Sequence, residues 1–329
     1  MAILDFGTTA YELYGDTVVG VSTVTNNIAE YCSEGFRTSH ASLTSNLEWT
    51  SDETEVWFTW YYYSNEASAI SGTYMQFLDE NDNPIIRLWK ENGVANGLHF
   101  QYWDGSAWND IAADFNENVD VARRLDFGVV MNGTTGAVYM YKDRGLYASQ
   151  ENFDTTNSAA RSFCKKIEIG GNQNSGYVYY SGLVAANENT LNFFYVQTKP
   201  AADGNYTDWN GDYTDIDEVG MDDTDVLYAQ TNGAQSTFTQ TSLDPSFTDT
   251  AWDIKALGTS AQVFNGSVRA LPNIQMLTRS GTTDATGDLE SITVAKKGVK
   301  HLFDVDPATG VEWTVTDVAA AETGVKLSS

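Results

Sequence analysis

The segment Trp103-Asp104-Gly105-Ser106-Ala107-Trp108-Asn109-Asp110 sets two indoles around a short polar turn. An indole offers a flat apolar face with a polar edge, and a neighbouring carboxylate and amide can hydrogen-bond hydroxyl groups. Trp103, Asp104, Trp108 and Asn109 are therefore candidates for glycan contact. The same residues would also make a hairpin whose tryptophans fold back onto the protein, and both readings stay open. A second cluster, Asp79, Asp82 and Asn83, lies within Asp79-Glu80-Asn81-Asp82-Asn83-Pro84. Its oxygens suit a hard cation such as Ca²⁺, although Asx residues are equally ordinary turn formers. No other cofactor is expected.

Several chemistries can be set aside. Asp-Phe-Gly occurs at Asp5 and again at Asp126, yet no Gly-rich loop or His-Arg-Asp triplet accompanies it. There is no phosphate-binding G-x-x-x-x-G-K-[ST] loop and no G-x-S-x-G elbow. His40, His99 and His301 have no partners at zinc-ligand spacing. A retaining glycosidase needs two carboxylates roughly 5–5.5 Å apart, which on one strand means acids two or four positions apart. Asp215-Ile216-Asp217-Glu218 comes nearest and lacks the spacing of a Glu-x-Asp-x-x-Glu strand. The expectation is a protein that is not an enzyme.

The net charge is −27, from 45 acids and 18 Lys plus Arg. Nucleic acid is therefore not an expected partner, because phosphate binding rewards a basic surface. No run approaches the roughly 18 apolar residues of a membrane helix, so no membrane insertion is expected. The amino terminus lacks a basic patch followed by an apolar stretch, so no secretory signal is expected. Cys32 and Cys164 do not make a disulfide framework, and buried free thiols or one bridge remain alternatives.

These candidates must be held by β-structure. Val56–Tyr63 is a run of strand formers with apolar side chains at successive positions, which suits a central strand covered on both sides. Tyr74–Leu78 and Ile85–Trp89 flank the Asx-rich turn as a hairpin. Leu125, Phe127, Val129 and Met131 alternate as in a half-buried strand, and Val138–Tyr141 pairs back after Asn132-Gly133. Lys165–Gly170 and Val178–Val184 add two more strands, completing a two-sheet sandwich. Between Lys199 and Lys255 no basic residue occurs while acids accumulate, so 199–225 reads as an acidic connector packed by Tyr206, Trp209 and Tyr213. The remainder, 226–329, holds further strands and one short helix over 316–322, stopped by Gly324.

The order of strands in 1–198, with the hairpin from Arg124 through Lys142 and the closing stretch Tyr179–Thr190, resembles the concanavalin A-like, laminin-G-like jelly roll. The acidic Asp203–Asp215 stretch, Asp306–Thr314 and the Gly324-Val325-Lys326-Leu327 ending resemble the carboxy-terminal module of tailed-bacteriophage structural proteins. The resemblance implies an all-β chain: a jelly roll over 1–198, the connector, and a smaller β-sandwich module over 226–329. It further implies a non-enzymatic virion component, either a tail or fibre protein or a head appendage or decoration. Capsid or tail proteins and sister copies in a homo-oligomer would be its partners, and the jelly roll would face a host-surface glycan. Such a protein would assemble in the bacterial cytoplasm and reside in the virion. A free lectin-like module, or a glycoside hydrolase of the same fold, is the alternative.

Overall fold

In the computed structural model, residues 2–7, 21–25, 34–38, 43–64, 72–91, 97–115, 121–158, 160–170, 178–217, 225–243, 247, 252–266 and 272–328 are described. The chain divides into two compact units, Met1–Tyr195 and Val196–Ser329. The first contains β1 (Ile3–Gly7), β2 (Val21–Thr25), β3 (Glu34–Thr38), β4 (Leu43–Glu53), β5 (Glu55–Ser64), β6 (Gly72–Asp79) and β7 (Pro84–Lys90). It continues with β8 (Leu98–Trp103), β9 (Trp108–Phe115), β10 (Arg123–Val130), β11 (Gly136–Lys142), β12 (Gly145–Phe153), β13 (Cys164–Gly170) and β14 (Val178–Ala186).

These strands form two antiparallel sheets. One runs β12-β11-β10-β5-β14-β3-β2 with β1 also paired to β14, and the other runs β4-β13-β6-β7-β8-β9. The alternation of β5 turns Val56, Phe58, Trp60 and Tyr62 to a core shared by both sheets. Phe58 meets Phe77 at 6.2 Å and Phe100 meets Phe127 at 5.5 Å, each pair edge-on and each joining one sheet to the other. Fully burying such a ring contributes roughly 1.5–3 kcal/mol. Leu47, Ile86, Leu88, Ile167 and other aliphatic side chains fill the same core.

β5 is central, between β10 and β14, and its other face is covered too: Trp57 stacks on Tyr139 at 5.4 Å. Gly128 lies opposite, where an added Cβ would meet the Trp57 ring at 2.7 Å. β10 departs from its half-buried expectation, because Arg124 is only 4% exposed and Asp126 fully buried. The cause is the segment after β14. Arg124 donates to the carbonyls of Thr190 and Phe193, both at 2.6 Å, and Thr190 Oγ1 donates to Asp126 Oδ1 at 3.0 Å. A two-pronged ion pair, Arg124 Nε and Nη2 to the two Asp126 oxygens, sits beneath this strap.

The second unit contains β15 (Pro200–Thr207), β16 (Gln235–Gln240), β17 (Leu257–Val263), β18 (Asn273–Ser280), β19 (Thr283–Thr286), β20 (Glu290–Ser291), β21 (Lys297–Phe303), α1 (Val315–Ala320) and β22 (Glu322–Ser328). A sheet ordered β15-β16-β22-β18-β19, with β20 on β18, packs against the β17-β21 ladder around Ile274, Met276, Val299, Phe303, Trp313 and Val325. The stretch expected as a connector, 199–225, begins instead as a strand of this sheet. Pro200–Thr207 pairs with β16, its one acid, Asp203, is exposed, and Asn205 N–H bonds the buried Glu322 carboxylate at 2.8 Å. The helix, expected over 316–322, spans Val315–Ala320, and Thr314 caps it through a capping box with Asp317. Gly324 lies in β22 rather than ending the helix, because a Cβ there would fall 1.9 Å from the Ser236 carbonyl oxygen. No helix among the described residues is long and apolar enough to cross a membrane.

Candidate functional site

Trp103 ends β8 and Trp108 begins β9, so register makes them direct cross-strand partners. Their rings meet edge-on at 5.4 Å, both half-buried. Asp104 and Asn109 build the turn between them. The Asp104 carboxylate accepts from Ala107 N, Ser106 N, Ser106 Oγ and Asn109 Nδ2, all at 2.8–2.9 Å. Those donors, the Ala107 amide first, hold its carboxyl well below the usual carboxylate range. Gly105, at φ +97°, lets the turn close onto Asn157, whose amide oxygen would lie 2.2 Å from any added Cβ. The turn is anchored further by the buried Arg161, which donates to the carbonyls of Thr155, Pro84 and Trp103.

The chemistry lies beside this turn, on the face of the six-stranded sheet that points away from the core. Register aligns one residue from each strand: Asn46, Glu168, Gln76, Arg87, Gln101 and Asp110. Hydrogen bonds run along the row. Gln76 Nε2 donates to Glu168 at 2.7 Å, Arg87 Nε to Gln101 Oε1 at 2.7 Å, and Gln101 Nε2 to Asp110 Oδ1 at 2.8 Å. Aromatics flank it. The Arg87 guanidinium lies 4.0 Å from the Trp108 ring centre and 5.3 Å from that of Trp89, and Trp89 packs on His99 at 5.2 Å. Burial pulls the Arg87 guanidinium down to about 10, with Asp110 acting in the opposite direction, so it stays charged at neutral pH.

His99 Nδ1 sits 3.0 Å from Asp110 Oδ1. An ionised carboxylate only accepts, so this nitrogen carries the proton. Nε2 is buried without a hydrogen-bond partner, 3.6 Å from Glu91. Arg87, Trp89, His99, Gln101 and Asp110 are residues that sequence reasoning missed. Their signal was alternation: Arg87 and Trp89 in β7, and His99 and Gln101 in β8, occupy every second position between core residues.

The candidate calcium residues have other partners. Asp79 accepts from Asn81 N, Asn83 N and Asn83 Nδ2, closing its own turn, while Asp82 pairs with Lys166 at 2.6 Å. Among the described residues no group of three or more His, Cys, Asp or Glu could hold a metal. Cys164 is free, and burial pushes its thiol well up. Cys32 and His40 lie outside the described residues.

No protein-family model matches the sequence, and no curated protein sequence matches it. Among solved structures, the cellulose-induced protein Cip1 is similar at 13% identity and a TM-score of 0.39, over 56% of this chain and 92% of that one. The alginate lyase Aly36B is similar at 12% identity and 0.37, over 56% and 97%. Galectin LEC-6 of Caenorhabditis elegans follows at 12% and 0.32, over 46% and 95%. At such values, what the face can do rests on its own residues.

Proposed function

We propose that the first unit is a non-catalytic saccharide-binding module whose ligand lies on the outer face of the six-stranded sheet. One observation carries this reading: Trp89 and Trp108 flank Arg87 in the polar row, Trp103 packs on Trp108, and the hydrogen-bonding capacity of the row is only partly used within the protein. Among the described residues Asp110 Oδ2 and the Arg87 Nη groups have no hydrogen-bond partner. A sugar ring packs its C–H face on an indole while its hydroxyls bond planar polar groups, which is the combination offered here.

The geometry argues against glycoside cleavage. Glu168 and Asp110 stand four strand spacings apart along the row, or about 19 Å at roughly 4.8 Å each. That is far beyond the 5–9.5 Å or so of a glycosidase pair. Glu91 shares His99 with Asp110, and the imidazole fills the space between them. Burial of the His99 Nε2 atom argues in the same direction.

Glycan-array screening followed by calorimetry tests the reading. Trp89→Ala and Trp108→Ala should each weaken binding at least tenfold, about 1.4 kcal/mol, while Trp252→Ala in the second unit should leave it unchanged. Wild-type affinity in both face variants would overturn the site, and release of shortened or unsaturated oligosaccharides would overturn its non-catalytic character. The carboxy-terminal resemblance carries a second proposal, that the chain is a structural component of a tailed-phage particle, joined to capsid or tail proteins and to copies of itself. Gold-labelled antibody against the chain should then decorate intact particles, and their absence of label would dismiss it.

A further inference from the structure

Arg87 differs from Arg123, Arg124, Arg161 and Arg279 in what it touches. Arg123, Arg124 and Arg279 each pair with a carboxylate, and Arg161 spends its donors on three carbonyls. Among the described residues Arg87 makes one hydrogen bond, from Nε to Gln101, and no ion pair. Its neighbour Asp110 is held by Gln101 Nε2 and His99 Nδ1 instead. The Trp108 ring under the guanidinium fixes one flat side, and Gln101 fixes the Nε edge. What remains is the terminal Nη edge, with its N–H groups unused.

We propose, resting on the saccharide reading above, that the ligand is an acidic glycan of the uronate class whose carboxylate is received by the Nη edge of Arg87. A carboxylate and a guanidinium are both planar and meet through two parallel N–H···O bonds. Stacking on Trp108 holds the fork in place before the ligand arrives, so little side-chain freedom is lost on binding. Asp110 Oδ2, at the end of the row, accepts a hydrogen bond from a hydroxyl of the same sugar and thereby fixes its orientation. The net charge of −27 opposes any polyanion at long range. At about 0.15 M salt, where the Debye length is about 8 Å, the local contact decides.

Calorimetry at that salt compares galacturonate, glucuronate, mannuronate and guluronate oligomers with their carboxyl-reduced counterparts and with a sulfated neutral oligomer. The expected result is binding of at least one uronate oligomer that weakens about 10- to 100-fold on carboxyl reduction. Arg87→Gln should lose a similar factor toward the acid and no longer distinguish it from the reduced form. Arg87→Lys, which keeps the charge without the fork, should recover only part. Melting curves of both variants check that they fold. Equal affinity for reduced and acidic oligomers, or preference for the sulfate ester, overturns the carboxylate assignment while leaving the binding face standing. Failure to bind any saccharide overturns both.

Discussion

Asp126→Asn tests how the strap after β14 is held. The side chain keeps its size but loses its charge, leaving the Arg124 guanidinium buried with the Thr190 and Phe193 carbonyls and a neutral amide. Removing one partner of a buried ion pair costs about 3–5 kcal/mol. For a unit of this length each kcal/mol lowers the melting temperature by about 2–4 °C, so a fall of about 6–20 °C is expected. Arg123→Ala is the control: its pair with Asp143 is partly exposed and such a pair contributes at most about 1 kcal/mol, or about 4 °C. Scanning calorimetry reads the temperatures. Chymotrypsin reads the strap directly, since Phe193 and Phe194 should be cut faster in Asp126→Asn at temperatures well below melting. A fall no larger than that of the control, with cleavage unchanged, would refute the idea that the ion pair anchors the strap.

Other perturbations have equally defined outcomes. Gly324→Ala drives a Cβ into the backbone of Ser236 and should destabilise the second unit by about 1–3 kcal/mol, visible as a lower melting transition in calorimetry. Gly105→Ala forces a side chain into a positive-φ position beside Asn157. It should shift the fluorescence of the Trp103–Trp108 pair and weaken saccharide binding without unfolding the sandwich. Asp104→Asn probes acid stability. The folded carboxyl is depressed by its turn donors, so its contribution is present above the unfolded value of about 3.9 and disappears as pH falls through the lower folded value. The melting-temperature deficit of Asp104→Asn against wild type should thus be full at pH 6 and shrink steadily below about pH 4. A deficit that does not change with pH would contradict this assignment.

What the sequence made legible was local. The β5 run, the Asx turn before Pro84, the presence of a strand at β10 and the Asn132 turn each follow from side chains within a few residues of one another. Less legible was what depends on distant segments. Burial of Arg124 and Asp126 needs the chain to return some 65 residues later, at Thr190. The acids of 199–225 gave the appearance of a solvated link because charge says where a strand edge points, not whether it pairs. Gly324 looked like a helix stop for a similar reason, since the close approach of Ser236 comes from another strand.

The binding face shows the same limit in its sharpest form. Trp103 and Trp108 drew attention because they are near in sequence, and the turn between them proved to be occupied with its own hydrogen bonds. Arg87, Gln101 and Asp110 come from three strands, and only register makes them neighbours. A slip of one residue between β7 and β8 would send Arg87 or Gln101 to the wrong face and dissolve the row. That register is held by the core: Ile86, Leu88, Leu98 and Phe100 are fully buried on the opposite side. The apolar positions of β7 and β8 therefore set the site's geometry, although none of them would touch a ligand.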